Sequence, residues 1–86
     1  MRFSLKIHRK ALKFLEKLNE GEKEKTIEKI KKLRDSPFRE SVRIQGRKEE
    51  LYRIRIRDYR VLYYIDRQSS TIFVLKIDRR HRVYRK

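Results

Sequence analysis

The stretch Leu51-Tyr52-Arg53-Ile54-Arg55-Ile56-Arg57 decides the fold. Tyr52, Ile54 and Ile56 alternate with Arg53, Arg55 and Arg57, the two-residue period of a strand with one buried face. One side is apolar and covers a core. The other carries guanidinium groups about 7 Å apart, twice the rise per residue of a strand. That spacing is close to the repeat of a nucleic-acid backbone. Arginine suits such a row because its planar fork stays charged and grips phosphate through two parallel hydrogen bonds.

The same pattern extends on both sides. Arg60–Asp66 is rich in aromatic and β-branched residues and follows a tight turn near Asp58-Tyr59. A second turn over Arg67–Ser70 leads to a last strand, Thr71–Asp78. Upstream, Arg2–Ile7 alternates with Phe3, Leu5 and Ile7 on one face and predicts a first strand. The period then changes. Ala11, Leu12, Phe14, Leu15 and Leu18 share one face of a helix from about Arg9 to Leu18. Asn19, followed three residues later by Glu22, has the spacing of an N-cap and its acidic partner. A second helix runs from there to about Arg34, with Ile27, Ile30 and Leu33 as its narrow stripe and Ser36-Pro37 as its stop. The short link makes the two helices an antiparallel hairpin. Phe38–Glu50 lacks a period and reads as a loop around Gly46, with room for a short strand at Val42–Ile44.

The expected fold is therefore α+β: an N-terminal strand, a two-helix antiparallel hairpin, then a three-stranded antiparallel meander, with the helices packed on one face of the sheet. All 86 residues form one small domain. No internal repeat or linker divides them. The opposite face is left open, lined by Arg53, Arg55 and Arg57.

Composition limits what this face does. The chain has 27 Lys and Arg against 12 Asp and Glu, a net charge of +15. Such a charge repels itself, so it calls for a polyanionic partner, nucleic acid first and an acidic protein second. The bland alternative is a solvated face paired with Glu49, Glu50 or Asp66, but these acids are too few to balance it. There is no cysteine, which removes disulfides and thiolate metal sites. No metal-ligand cluster or Gly-rich phosphate loop is present, so any chemistry is expected to be metal- and cofactor-free. No apolar run is long enough to span a membrane, and the default location is the cytoplasm.

If the open face cleaves RNA, three kinds of help are needed. The attacking 2′-hydroxyl must lose its proton, the phosphorane must be neutralised, and the leaving 5′ oxygen must gain a proton. Arginines do the second through fixed charge. They do not serve as bases. His81 and Tyr84 in the basic tail are the proton carriers the sequence offers. His8, between first strand and first helix, reads as a cap or surface group. Tyr59, Tyr63 and Tyr64 are candidates for base stacking, although core packing claims at least one of Tyr63 and Tyr64, which point to opposite sides.

The segment Leu51–Tyr63, with its Tyr59-Arg60-Val61-Leu62-Tyr63 centre, resembles the central signature of the RelE/ParE toxins of toxin–antitoxin systems. The ending Ile77–Arg85, in which basic residues precede Val83-Tyr84, is similar to that family's C-terminal motif. The resemblance spans the chain and favours the RelE branch. It implies a ribosome-dependent endoribonuclease that enters the 30S A site, cuts the mRNA there by 2′-hydroxyl attack and stops translation. A cognate RelB-like antitoxin would hold it inactive. The implied catalytic set is Arg53, Arg55, Arg60, Arg80 and Tyr84. Arg57, Arg79, His81 and Arg82, with Arg43, Arg47 and Lys48 in the loop, would bind RNA. Two departures stand out: the family's central-strand lysines are arginines here, and only Arg85 and Lys86 follow the tyrosine. The alternatives are a ParE-like, non-enzymatic inhibitor of DNA gyrase and a catalytically silent basic RNA-binding module.

Overall fold

The computed structural model describes residues 3–38, 40–46 and 48–79. Its first strand, β1 (Ser4–Ile7), leads into α1 (Arg9–Glu16) and α2 (Glu20–Lys31), which ends in a 3-10 turn over Lys32–Arg34. Four strands follow: β2 (Val42–Arg43), β3 (Glu50–Ile56), β4 (Tyr59–Asp66) and β5 (Thr71–Arg79). They form one five-stranded sheet in the order β1-β5-β4-β3-β2. The meander is antiparallel throughout, as expected. β1 joins it at the far edge, parallel to β5, with Leu5 beside Ile72 and Ile7 beside Val74.

Both helices start where the sequence places their caps. His8 Nδ1 accepts from the Lys10 backbone N–H at 3.1 Å, and Asn19 Oδ1 accepts from the Glu22 N–H at 2.8 Å. Each satisfies a donor that the first helical turn leaves without a partner. The buried stripe of α2 and its 3-10 turn is Thr26, Ile30 and Leu33, with Ile27 only partly covered. Thr26 takes a fully buried place because its hydroxyl donates to the Glu22 carbonyl at 2.8 Å. Along α1, Ala11 and Leu15 are sealed while Leu12 is 41% exposed, so the apolar face is narrower than the sequence indicates.

These residues pack on Tyr52, Ile54 and Ile56 of β3, Tyr59, Val61, Tyr63 and Ile65 of β4, and Ile72, Val74 and Ile77 of β5. The core thus lies between the helix hairpin and one face of the sheet. Burial of such side chains contributes about 1.5–3 kcal/mol each. No helix among the described residues is long and apolar enough to cross a membrane.

Two irregularities decide which side chains reach the open face. The β3–β4 hairpin closes on the pair Ile56–Tyr59, leaving Arg57-Asp58 as a two-residue loop. Arg57 has φ +56°, the left-handed conformation that such tight hairpin turns demand. In β5 the register shifts between the partners of Leu62 and Tyr63: Leu62 pairs with Lys76, Tyr63 with Val74, and Leu75 is the extra residue. This bulge sends Ile77 to the core and Lys76 and Asp78 to the opposite face.

Candidate nucleic-acid interface

The open face is organised in rows across the strands. Arg55 of β3 pairs with Arg60 of β4, which pairs with Asp78 of β5. The next row is Arg53, Leu62 and Lys76, with Val42 of β2 beside Arg53. Beyond it stand Leu51, Tyr64, Phe73 and Lys6. Residues that share a row have Cβ atoms about 4.5–5.5 Å apart. Three expected site residues, Arg53, Arg55 and Arg60, are therefore brought together.

The structure adds two residues that sequence reading missed. Ile44, Arg53, Arg60, Leu62, Lys76 and Asp78 line a cleft of about 260 Å³. Asp78 sits between two cations, with Oδ1 3.7 Å from Arg60 Nε and Oδ2 3.9 Å from Lys76 Nζ. The signal that reveals them is the spacing of apolar residues in the last strand. Ile72 and Val74 fit a period of two, but the next core residue is Ile77, three on. One residue must bulge, and the strand must change faces.

Arg57 is a correction. Its left-handed backbone breaks the alternation of β3, and its guanidinium turns to α2, 3.9 Å from Glu22 Oε2. It does not line the open face beside Arg53 and Arg55. Glu22 Oε1 also accepts from the hydroxyl of Tyr59 at 2.7 Å. Burial of Tyr59, and then this bond, raise its phenol above the ordinary value. Arg79 pairs with Tyr59 and lies with its guanidinium 5.3 Å from the centre of that ring, a cation–π contact on the helix side.

Arg43 and Lys48 lie at the other end of the sheet. They border a recess with Glu49, Glu50, Tyr64, Ile65 and Asp66. Glu50 and Arg55 are separated by five residues of strand, about 17 Å. An aromatic–ionic cluster fixes this end. Arg67 donates to both Glu50 oxygens, at 2.8 and 2.6 Å, and Tyr52 donates to Glu50 at 2.9 Å. The Arg67 contact holds the Glu50 carboxyl down to about 2 against the opposing effect of burial, with a smaller contribution from the Tyr52 hydrogen bond. Tyr52 stacks on Tyr63, and Phe38 meets Tyr52 edge-on. The Tyr63 hydroxyl lies 2.5 Å from the Pro37 carbonyl and 2.7 Å from Ser41 Oγ, tying the loop after the helices to the sheet.

Of the three tyrosines considered for stacking, Tyr59 and Tyr63 are wholly buried and belong to the core. Tyr64 faces the open side and stacks on Phe73, ring centres 4.9 Å apart. Arg47, Arg80, His81, Arg82 and Tyr84 lie outside the described residues.

Comparison with known proteins places this architecture. A family model described as the ParE toxin of the type II toxin–antitoxin system parDE matches residues 5–84. A Methanocaldococcus jannaschii protein that carries the name toxin RelE1 is 34% identical over 99% of this chain and 98% of its own length. A chain of the archaeal RelE–RelB complex from Pyrococcus horikoshii OT3 superposes with a TM-score of 0.81 at 31% identity, covering 95% of this chain and 99% of that one. The isolated E. coli RelE toxin gives a TM-score of 0.75 at 27% identity, over 95% and 90% of the two chains. The chain belongs to the RelE/ParE family of type II toxin–antitoxin toxins.

Proposed function

We propose that this toxin is a metal-independent endoribonuclease that enters the A site of the 30S subunit, cuts mRNA there and so inhibits translation. The observation that carries the reading is the gathering of Arg53, Arg55, Arg60 and Lys76 on the open face of the sheet. Three cations lining one cleft, Arg53, Arg60 and Lys76, with Arg55 beside Arg60 in the adjacent row, suit a phosphodiester and the extra negative charge of its pentavalent transition state. Arg60 and, in the tail, Arg80 stabilise that charge; Tyr84 orients the 2′-hydroxyl or stacks on the base. The flanking basic residues hold the RNA by charge.

The partner in the resting state is a RelB-like antitoxin, in keeping with the RelE–RelB pairing of the Pyrococcus relative. A net charge of +15 favours an acidic or amphipathic segment that wraps the toxin. An antitoxin partner and a ribosomal target fit a cytoplasmic protein.

A second reading is kept because the matching family model describes ParE. On it the same fold inhibits DNA gyrase without catalysis. Two assays separate them: amino-acid incorporation in a purified translation system, and gyrase-mediated DNA breakage. The first reading requires loss of incorporation with gyrase untouched. Trapped DNA breaks with normal incorporation would establish the second.

A further inference from the structure

Among the described residues, Asp78 is the only acidic side chain that lines the cleft of Arg53, Arg60 and Lys76. Its setting differs from that of an ordinary ion-pair partner. Elsewhere in this chain, Glu50 shows what such a partner looks like: both of its oxygens take hydrogen bonds of 2.6–2.8 Å from Arg67. The Asp78 oxygens lie 3.7 and 3.9 Å from their cations, beyond hydrogen-bond length. Oδ1 is sealed from solvent and has no hydrogen-bond partner among the described residues. The side chain as a whole is 37% exposed, which leaves Oδ2 as the oxygen open to the cleft. Two cations tether the charge, while the lone pairs stay uncommitted. Leaving a buried acceptor unmet is unfavourable, so a fold that keeps one calls for a reason.

RNA cleavage by 2′-hydroxyl attack supplies that reason. Arg53, Arg55 and Arg60 stay protonated and take no proton from the nucleophile. Lys76 stands beside Asp78, with Nζ 3.9 Å from Oδ2. We propose that Asp78 is the proton acceptor of the reaction. This rests on the ribonuclease reading above. Oδ2 takes the 2′-hydroxyl proton as the bond from O2′ to phosphorus forms. Negative charge gathers on the phosphoryl oxygens, against Arg60. The bond from phosphorus to O5′ then breaks, and O5′ takes a proton from water. The products are a 2′,3′-cyclic phosphate and a 5′-hydroxyl, and Asp78 returns its proton to solvent. Oδ1, against Arg60, keeps acceptor and phosphate site in register.

The test is single-turnover cleavage of mRNA on purified, programmed ribosomes, with Asp78→Asn and Asp78→Ala, over about two pH units around neutrality. Asp78→Asn should bind RNA at least as tightly as wild type, because a negative charge leaves a basic cleft. It should cut about 10²-fold slower or worse, and its rate should climb about tenfold per pH unit as solvent hydroxide replaces the lost base. Added formate should restore part of the Asp78→Ala rate and leave wild type unchanged. Wild-type pH dependence in Asp78→Asn, together with no rescue by formate, would overturn the proposal while leaving the ribonuclease reading in place. A wild-type protein that cuts nothing on ribosomes would remove both.

Discussion

Arg55 and Arg60 stand directly opposite one another across β3 and β4, two like charges on one face of the sheet. Such a cross-strand pair opposes folding by up to about 1 kcal/mol. Arg60 finds partial relief in Asp78 on its other side. The arrangement makes sense only with an anion over it. Arg55→Glu should therefore raise stability to urea by about 0.5 kcal/mol. The same change should weaken RNA binding and lower the slope of log affinity against log salt by about one ion. A loss of stability with unchanged RNA affinity would contradict this role for the face.

Glu22 ties the start of α2 to the β3–β4 hairpin through the Tyr59 hydroxyl and the Arg57 guanidinium. Glu22→Ala strips the acceptor from a buried phenol and should cost about 1–3 kcal/mol. Glu22→Gln keeps an acceptor and should cost less than half as much. Tyr59→Phe in the Glu22→Ala background should add little, since their shared bond is already gone. Denaturant unfolding of wild type, Glu22→Ala, Tyr59→Phe and the double variant measures the coupling. Additive losses would show that the bond stabilises nothing.

Glu50 carries the acid sensitivity of the far end of the sheet. Its carboxyl is held at about 2 in the fold. A depressed carboxylate contributes fully above its unfolded value and loses that contribution as pH falls through the folded one. The advantage of wild type over Glu50→Gln should be constant at neutral pH, shrink from about pH 5 downward and vanish near pH 2. Urea midpoints of both proteins across that range test it. An advantage that does not change with pH would show that the Arg67 contact is not charge-assisted.

Tyr63 gives the opposite sign. Burial raises its phenol to about 12, with the Ser41 hydroxyl opposing the rise. Its contribution is present below the ordinary tyrosine value and lost as pH climbs toward the raised one. Tyr63→Phe leaves the Pro37 carbonyl one donor short and should cost about 1 kcal/mol at neutral pH. Between about pH 10 and 12 wild type should lose that margin. Stability measured by fluorescence in urea follows both. Equal stability at neutral pH would show that the Pro37–Ser41 anchor is not used.

The sheet was largely readable because its strands alternate cleanly: Tyr52, Ile54 and Ile56 are in the core, and Arg53 and Arg55 are out. The Asn19 cap and the helix hairpin were readable from spacing and a turn. Failures came where the backbone departs from its period. Arg57 looks like the third arginine of a row, yet the two-residue hairpin puts it at positive φ and turns it to α2. Nothing in Arg57-Asp58 advertises this, since such turns normally carry Asn or Gly. Lys76 and Asp78 were passed over because one bulged residue, Leu75, decides their face. Thr26 was missed because a polar residue enters a buried stripe only when its own helix accepts its proton.

The central claim is that the basic face cuts mRNA on the ribosome, and primer extension tests it most directly. An mRNA is translated in a purified system with and without this toxin, beside a tube lacking ribosomes. The account predicts new 5′ ends within A-site codons, seen only when toxin and ribosomes are both present, and absent with Arg80→Ala. Unchanged 5′ ends with undisturbed translation would contradict it.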